Sequence, residues 1–350
     1  TVRVRAMTDR NVDLARLRDN GSIQCQVCPR RCVIPPGERG VCDVREHRDG
    51  ELVLVTHGQS VSAAVDPIEK KPLFHFAPGS EVLSVATRGC NFACDFCQNH
   101  AIALDGERTR ERSLPPSELE RRARDHDGIA YTYTEPTIFF EYAYDTMQQT
   151  GAQTYNVFVS NGYMSTETAE RLGPYLDAIN VDIKGDQAFY REHCGVPDPS
   201  PIYDAIEVLA DYDVWIEITN LLVPGENTDE SVLRERMRWI HETLGPQTPV
   251  HFSRFHPDYK LTEVPPTPLE TLERAMTIAR EVGLNYVYCG NVPGHEAEST
   301  RCPTCGHTVI KREGFSVQSY DLEDGACPSC GTAIPIAGER WTRGAREGRR

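Results

Sequence analysis

The chain of 350 residues contains few lysines and no long apolar run. Only five of its 37 basic residues are lysines, and 52 acidic residues leave a formal net charge of −15. That balance does not favour nucleic acid or an anionic membrane as a partner, because both attract a basic surface. No apolar run approaches the ~18 to 20 residues of a membrane span. The first ten residues lack the apolar segment of a signal peptide, so we expect a cytoplasmic protein.

Cysteine, by contrast, is plentiful, with 13 in the chain. A reducing compartment keeps thiols free, so this number indicates metal sites rather than disulfides. Hydrophobic residues make up 39% of the chain, which is enough for a sizeable core.

The central group of cysteines lies in the sequence TRGCNFACDFCQN, residues 87–99, with the spacing C-x3-C-x2-C. Three thiolates fit a [4Fe–4S] cluster that leaves one iron free for another ligand. A structural zinc takes four protein ligands. The alternative is therefore a zinc site that recruits His100. Residues 81–87 read as a buried strand, which places this group at a strand end.

From residue 81 onward, apolar strand patterns alternate with helical patterns. Such repeats predict parallel strands joined by crossover helices, and hence a TIM-type (β/α) barrel, complete or partial, with small Cys-rich metal-binding segments at both ends. A doubly wound open sheet is the alternative, although no G-x-G-x-x-G follows the first strand. The predicted strands are 81–87, 128–134, 154–160, 178–184, 214–223, 250–255 and 286–290. The predicted helices are 117–124, 137–149, 165–176, 201–211, 229–244 and 267–282.

This pattern predicts five segments along the chain. They are an N-terminal Cys-rich metal-binding segment (1–50), a hairpin and lead-in (51–80), the barrel (81–296), a zinc-ribbon-like knuckle (297–337) and a disordered tail (338–350).

Polar residues follow the apolar bodies of several predicted strands, where a barrel keeps its chemistry. Asp182 and Lys184 are two residues apart, so they share one face of their strand. Buried charges need a partner. The two side chains therefore form either an ion pair or a site for a charged ligand.

Each end of the chain carries a further group of four cysteines. Cys25, Cys28, Cys32 and Cys42 have the spacing C-x2-C-x3-C-x9-C, which suits either zinc or an auxiliary iron–sulfur cluster. Near the C-terminus, two C-P-x-C-G motifs supply Cys302, Cys305, Cys327 and Cys330. Paired knuckles of this kind are typical of zinc ribbons, so we expect zinc there.

In order along residues 23–335, the chain contains CQVCPRRC, DPIEKKPLFHF, TRGCNFACDFCQN, YTYTEPT, SNGY, VDIKG, SRFHPDY and NVPGHE. With these motifs it resembles the pyruvate formate-lyase-activating-enzyme-like branch of the radical S-adenosylmethionine (SAM) superfamily. It is most similar to the radical SAM enzymes of the AmmeMemoRadiSam system. In that superfamily the open iron binds SAM, and the reduced cluster cleaves it to methionine and a 5′-deoxyadenosyl radical.

The resemblance implies a role for individual residues. Cys90, Cys94 and Cys97 would ligate the [4Fe–4S] cluster. Glu135 would accept a hydrogen bond from the SAM ammonium, although Tyr-Thr precedes it where the family has Gly-Gly. The remaining residues implied to contact SAM are Phe96, Asn161, Asp182, Lys184 and His256. Cys194 is a candidate catalytic thiol, and Cys289 is expected to be a buried small hydrophobic residue.

The resemblance also implies a reaction and partners. We expect a radical that abstracts hydrogen from a substrate or a partner protein, with a ferredoxin- or flavodoxin-type electron donor and with Memo-type and AMMECR-type partner proteins. One alternative is an activating enzyme for a glycyl-radical enzyme. A second is a non-catalytic zinc-binding scaffold, and a third is a nucleic-acid-modifying radical enzyme, which the acidic balance disfavours.

Overall fold

The structure, a computed structural model, describes residues 10–105 and 110–338. These residues divide into two compact units. The first contains residues 10–65, 82–105, 110–177 and 191–214, and the second contains 66–81, 178–190 and 215–338. The tail predicted to be disordered lies outside the described residues, except for Gly338.

The first unit contains three parallel strands and the helices that connect them. Its strands β9, β11 and β12 pair in parallel, with β11 between the other two. All four residues of β11 are buried, as expected of a strand covered on both faces. The parallel strands are β9 (Glu81–Ala86), β11 (Gly128–Tyr131) and β12 (Tyr155–Ser160). The helices are α1 (His100–Ala103), α2 (Pro116–Ala123), α3 (Phe140–Met147), α4 (Thr166–Leu172) and α6 (Ser200–Ala210).

Short antiparallel strands make up the N-terminal part of the first unit. They form two three-stranded sheets, ordered β2-β3-β4 and β1-β6-β5, and one two-stranded sheet, β10-β7. The strands are β1 (Arg10–Asn11), β2 (Ala15–Leu17), β3 (Ile23–Cys25), β4 (Val33–Ile34), β5 (Arg45–Arg48), β6 (Glu51–Leu54), β7 (Gln59–Ser60) and β10 (Arg112–Ser113).

The second unit contains four parallel strands and a small antiparallel sheet. Its strands β13, β14, β15 and β16 pair in parallel in that order. Three elements, β8 (Ser62–Pro67), β9 through its first residue Glu81, and α5 (Gln187–His193), include residues of both units. The second unit's strands are β13 (Ala178–Asp182), β14 (Trp215–Leu222), β15 (Val250–Arg254), β16 (Val287–Gly290), β17 (Thr300–Arg301), β18 (Thr308–Glu313) and β19 (Ser316–Tyr320). Its helices are α7 (Glu230–Thr243) and α8 (Leu269–Val282).

Local chemistry sets several of these helix ends. Asp229 precedes α7 and accepts hydrogen bonds from the backbone N–H groups of Ser231 and Val232. Ser165 does the same for α4 through Thr168. Such caps satisfy N–H groups that the first helical turn leaves free. Helix α8 ends at Gly283, whose φ of 111° is open to glycine and strained for other residues.

The prediction of parallel strands alternating with helices is confirmed. Closure into a barrel stays a prediction. Among the described residues β16 is the last strand in the order of its sheet, where it pairs with β15, and a closed barrel has no such edge strand.

The hairpin predicted over residues 51–65 is wrong. Strand β6 pairs with β5 and β1, and β7 pairs with β10. In the region described, no helix is both long and apolar enough to cross a bilayer.

Four buried side chains of the second unit form one polar network. Glu217 accepts hydrogen bonds from the backbone N–H groups of Phe74 and His75 and pairs with His251 at 2.7 Å. His75 Nδ1 lies 2.7 Å from the carbonyl oxygen of Pro335, and its Nε2 contacts the Tyr288 hydroxyl. The carbonyl must accept, so His75 carries a proton on Nδ1. Burial lowers the pKa of His75 to about 4.

This shift predicts a pH-dependent stability. In the unfolded chain His75 binds a proton near its ordinary pKa of 6.5, whereas the folded chain resists protonation down to about pH 4. The contribution of His75 is therefore complete above pH 6.5 and falls as pH drops, by about 3 kcal/mol at pH 4. Urea unfolding at pH 7, 5.5 and 4.5 would measure the loss. His75→Gln should show a shallower dependence, and equal slopes for both chains would contradict this assignment.

Candidate active site

The central cysteines lie on the loop that follows β9. Cys94 is buried, and Cys90 and Cys97 are partly buried. The backbone N–H of Phe92 donates to Cys90 Sγ at 3.4 Å, and the Cys97 N–H donates to the Cys94 carbonyl at 3.3 Å. Burial raises the pKa of the Cys90 thiol well above its usual value. A metal would therefore displace a proton on binding, because the thiolate is the ligand.

The segment that contains His193 and Cys194 is hydrogen-bonded to the middle of this loop. The backbone N–H of Ala93 donates to the carbonyl of Cys194 at 3.1 Å, and that of Asp95 donates to the carbonyl of His193 at 2.9 Å. The Cys194 side chain is fully buried. Cys194 thus positions the loop through its backbone, and a catalytic role for its thiol stays a prediction.

Two asparagine amides join the loop to the end of β12. Asn161 Nδ2 donates to Asn91 Oδ1 at 2.9 Å and lies 4.0 Å from Cys90 Sγ. Asn91 Nδ2 donates in turn to the carbonyl of Tyr163 at 2.9 Å. Both asparagines are buried. The end of β12 therefore fixes the position of Cys90.

Glu135 is the buried carboxylate of this site. Its Oε1 accepts hydrogen bonds from the Thr137 N–H at 2.9 Å, the Thr137 hydroxyl at 2.6 Å and the Ser160 hydroxyl at 2.7 Å. Its Oε2 accepts from the Asn161 N–H at 2.7 Å. Burial raises the pKa of Glu135, and these donors oppose the rise. The carboxylate thus joins β11 to β12 and keeps acceptor capacity on Oε2.

Phe96 is buried next to the cysteines in sequence, at 5% exposure. Its predicted contact with the adenine of SAM stays a prediction.

The second unit holds the other predicted residues. Lys184 Nζ lies 2.5 Å from Asp182 Oδ2. The two side chains therefore form an ion pair, which was one of the two predictions from the sequence. Asp182 Oδ1 is buried and has no hydrogen-bond partner among residues 10–105 and 110–338. An unsatisfied buried acceptor is costly, and a ligand hydroxyl would satisfy it. His256 is exposed just beyond the end of β15.

The C-terminal cysteines of the second unit come together. The sulfur atoms of Cys302, Cys305, Cys327 and Cys330 all lie within 4.8 Å of one another. The Sγ–Sγ distance is 3.5 Å for Cys302 and Cys330 and 3.7 Å for Cys305 and Cys327. A tetrahedral zinc with Zn–S bonds of about 2.3 Å would space its sulfurs about 3.8 Å apart. The spacing therefore fits a single ion.

The two knuckles have matching turns. Gly306 donates to the carbonyl of Cys302 at 2.9 Å, and Gly331 donates to that of Cys327 at 2.8 Å. Both glycines have a positive φ, which explains why each C-P-x-C motif ends in glycine. The hydroxyl of Thr332 lowers the pKa of Cys330 to about 6. That thiol is thus ready to act as a metal ligand at neutral pH.

We expect this group to bind one zinc per chain, and the identity of the metal is the prediction to test. Elemental analysis of the purified protein should find zinc that survives dialysis, and Cys305→Ser with Cys330→Ser should lose it. Cys289→Ser is the matched control, since Cys289 is buried in β16 and is not one of the four clustered cysteines. Equal zinc content in all these variants would contradict the assignment.

An α/β fold whose parallel strands lead into a three-cysteine loop defines a protein with a metal cluster at the end of a sheet. The chain belongs to the radical SAM superfamily, whose family model matches residues 84–236. An uncharacterized protein of Methanocaldococcus jannaschii is 44% identical over 326 residues, which make up 91% of this chain and 96% of the relative. Members of this superfamily are enzymes that use a [4Fe–4S] cluster and SAM.

The solved structures that match the chain share little sequence with it. A domain of pyruvate-formate lyase-activating enzyme from Bacteroides vulgatus is 19% identical with a TM-score of 0.42, over 47% of this chain and 99% of that one. A radical SAM methyltransferase from Sphaerobacter thermophilus is 17% identical with a TM-score of 0.47, over 61% of this chain and 66% of that one.

The residues present fit the two groups that the superfamily uses. In the first unit three thiols share one loop, and in the second unit Asp182 Oδ1 is an acceptor awaiting a donor. Sequence reasoning missed Asn91, Ser160 and Thr137. Of these, Asn91 had a signal, because a polar residue directly beside a metal-ligating cysteine often orients it.

Proposed function

We propose that the protein cleaves SAM reductively and uses the resulting radical to abstract hydrogen from a substrate or a partner protein. The observation that carries this proposal is the loop with Cys90, Cys94 and Cys97, fixed to the end of β12 through Asn91 and Asn161. When bound, a cluster at this loop and SAM would supply the 5′-deoxyadenosyl radical by transfer of one electron. The chain's own residues have to bind and orient these groups.

Each candidate residue has a task suited to its surroundings. The three thiolates would hold three irons and leave the fourth iron for SAM. The spare acceptor capacity of Glu135 Oε2 suits the ammonium group of SAM. Asp182 Oδ1 suits a ribose hydroxyl, and Lys184 suits a carboxylate. Phe96 and His256 are further candidates for contacts with SAM.

The remaining parts of the proposal concern the cell. We place the protein in the cytoplasm, because none of its 13 cysteines pairs in a disulfide and a reducing compartment preserves thiols. The electron donor would be of the ferredoxin or flavodoxin type. Memo-type and AMMECR-type proteins are the proposed partners, on the strength of the sequence motifs alone.

An anaerobic assay tests the reaction. The protein is reconstituted with iron and sulfide, reduced with dithionite and mixed with SAM, and 5′-deoxyadenosine is quantified. We expect product from the native chain, and the EPR signal of its reduced cluster should shift when SAM is added. A reconstituted protein that gives neither product nor a shift would overturn the proposal and would favour a metal-binding scaffold.

A further inference from the structure

A second group of four cysteines surrounds a cavity in the first unit. Cys25 ends β3, and the loops that follow β3 and β4 carry the other three. All four line the same small cavity. Its walls also include apolar side chains of Val27, Ile34 and Ile138. The four cysteines are Cys25, Cys28, Cys32 and Cys42.

The spacing of these sulfur atoms does not match a preformed site for a single ion. Within the described parts of the chain, the C-terminal knuckles are the one set of three or more ligand residues with all ligand atoms within 4.8 Å of one another. The N-terminal cysteines are therefore spread more widely than a tetrahedral zinc requires. Cys90, Cys94 and Cys97, which lie in the region that the superfamily model matches, likewise do not all lie within 4.8 Å of one another.

The cavity also contains a buried positive charge. Arg45 lines it and is 2% exposed. Its guanidinium makes two hydrogen bonds of 2.8 and 2.9 Å to the Glu141 carboxylate, which is 1% exposed. Glu141 balances the charge of Arg45, but only the guanidinium end of this pair lines the cavity. A cluster with four thiolates carries net negative charge and would therefore face the positive end of a buried ion pair.

We propose that Cys25, Cys28, Cys32 and Cys42 bind a second [4Fe–4S] cluster. Four thiolates would occupy all four irons and leave none open for a substrate. The chemistry left to such a cluster is the transfer of single electrons. A low-potential one-electron carrier would reduce it by one electron, and it would lose that electron to an acceptor.

The first cluster's loop packs directly against this site. Arg30, which lies between Cys28 and Cys32, donates from Nε to the carbonyl of Asn91 at 2.9 Å. A Cβ added at Gly89 would lie 2.5 Å from the carbonyl oxygen of Cys42, so only glycine permits this approach. Since Asn91 also lines the cavity and follows Cys90 directly, one residue separates the two sites. The cluster proposed for the Cys90 loop would therefore be the acceptor for the electron.

The decisive experiment removes the first cluster. A variant with Cys90, Cys94 and Cys97 all changed to Ala is reconstituted anaerobically, and its iron, sulfide and zinc are measured. We expect about four irons per chain and the Mössbauer spectrum of a [4Fe–4S] cluster. The EPR signal of the reduced cluster should not change when SAM is added. Adding Cys28→Ala and Cys32→Ala should abolish this iron and leave the zinc unchanged. A triple variant without iron but with a second zinc would overturn the proposal.

The native chain provides a test if that variant does not fold. It should bind about eight irons and give two reduced signals, of which SAM shifts one. About four irons, with the whole EPR signal shifted by SAM, would refute the second cluster. This outcome is distinct from failure of SAM cleavage, because the SAM-responsive signal reports on the first cluster and the SAM-indifferent signal on the second.

Discussion

Cys94→Ala should reduce 5′-deoxyadenosine formation to the level of a protein-free control. Cys94 is the most buried of the three central cysteines, and alanine offers no ligand atom in its place. A [4Fe–4S] cluster with two thiolates left on the loop would lose iron, and without the cluster no electron reaches SAM. Product quantified after anaerobic reconstitution, together with iron content, measures the effect.

The matched control for this loss is Cys289→Ala. It removes a buried thiol from β16, in a different unit from the cluster loop, so its cost is one of packing alone. Its product yield per iron should match that of the native chain. Product from Cys94→Ala at the native level would rule out the assignment of Cys94 as a cluster ligand.

The sequence predicted the parts of the fold that local patterns encode. Apolar strand bodies and the knuckle glycines act within a few residues of themselves, and the parallel strands were found close to the predicted ranges. The three-cysteine loop was predictable for the same reason, because its ligands lie within eight residues of one another.

Pairings between distant segments were not predictable. Strands β1 and β2 near the start of the chain are one case, because β6 and β3 supply their hydrogen-bond partners. The predicted hairpin after residue 50 failed in the same way, since β5 and β1 pair with β6 instead. The amide contact between Asn91 and Asn161 spans 70 residues, so no local spacing reports it.

Glu135→Gln should separate two tasks of one carboxylate, holding the strand ends together and binding SAM. An amide keeps one oxygen but turns the other acceptor into a donor, which leaves either the Asn161 N–H or the donors at Oε1 without a partner. A buried donor without its acceptor costs about 1–3 kcal/mol, so the free energy of unfolding should fall by that amount. Chemical denaturation of the native and variant proteins measures this part.

The effect on SAM decides whether Glu135 also binds the ammonium group. A lost charge-assisted contact is worth about 1.5–3 kcal/mol, which corresponds to a Kd for SAM raised roughly tenfold to a hundredfold. Thr137→Val is the matched control, because it removes one hydroxyl donor to Glu135 and leaves the negative charge in place. We expect the control to lose stability and to keep its affinity for SAM, measured by titrating the EPR shift. If Glu135→Gln also keeps native affinity, the carboxylate only positions Asn161 and Ser160, and the ammonium of SAM must find its acceptor elsewhere.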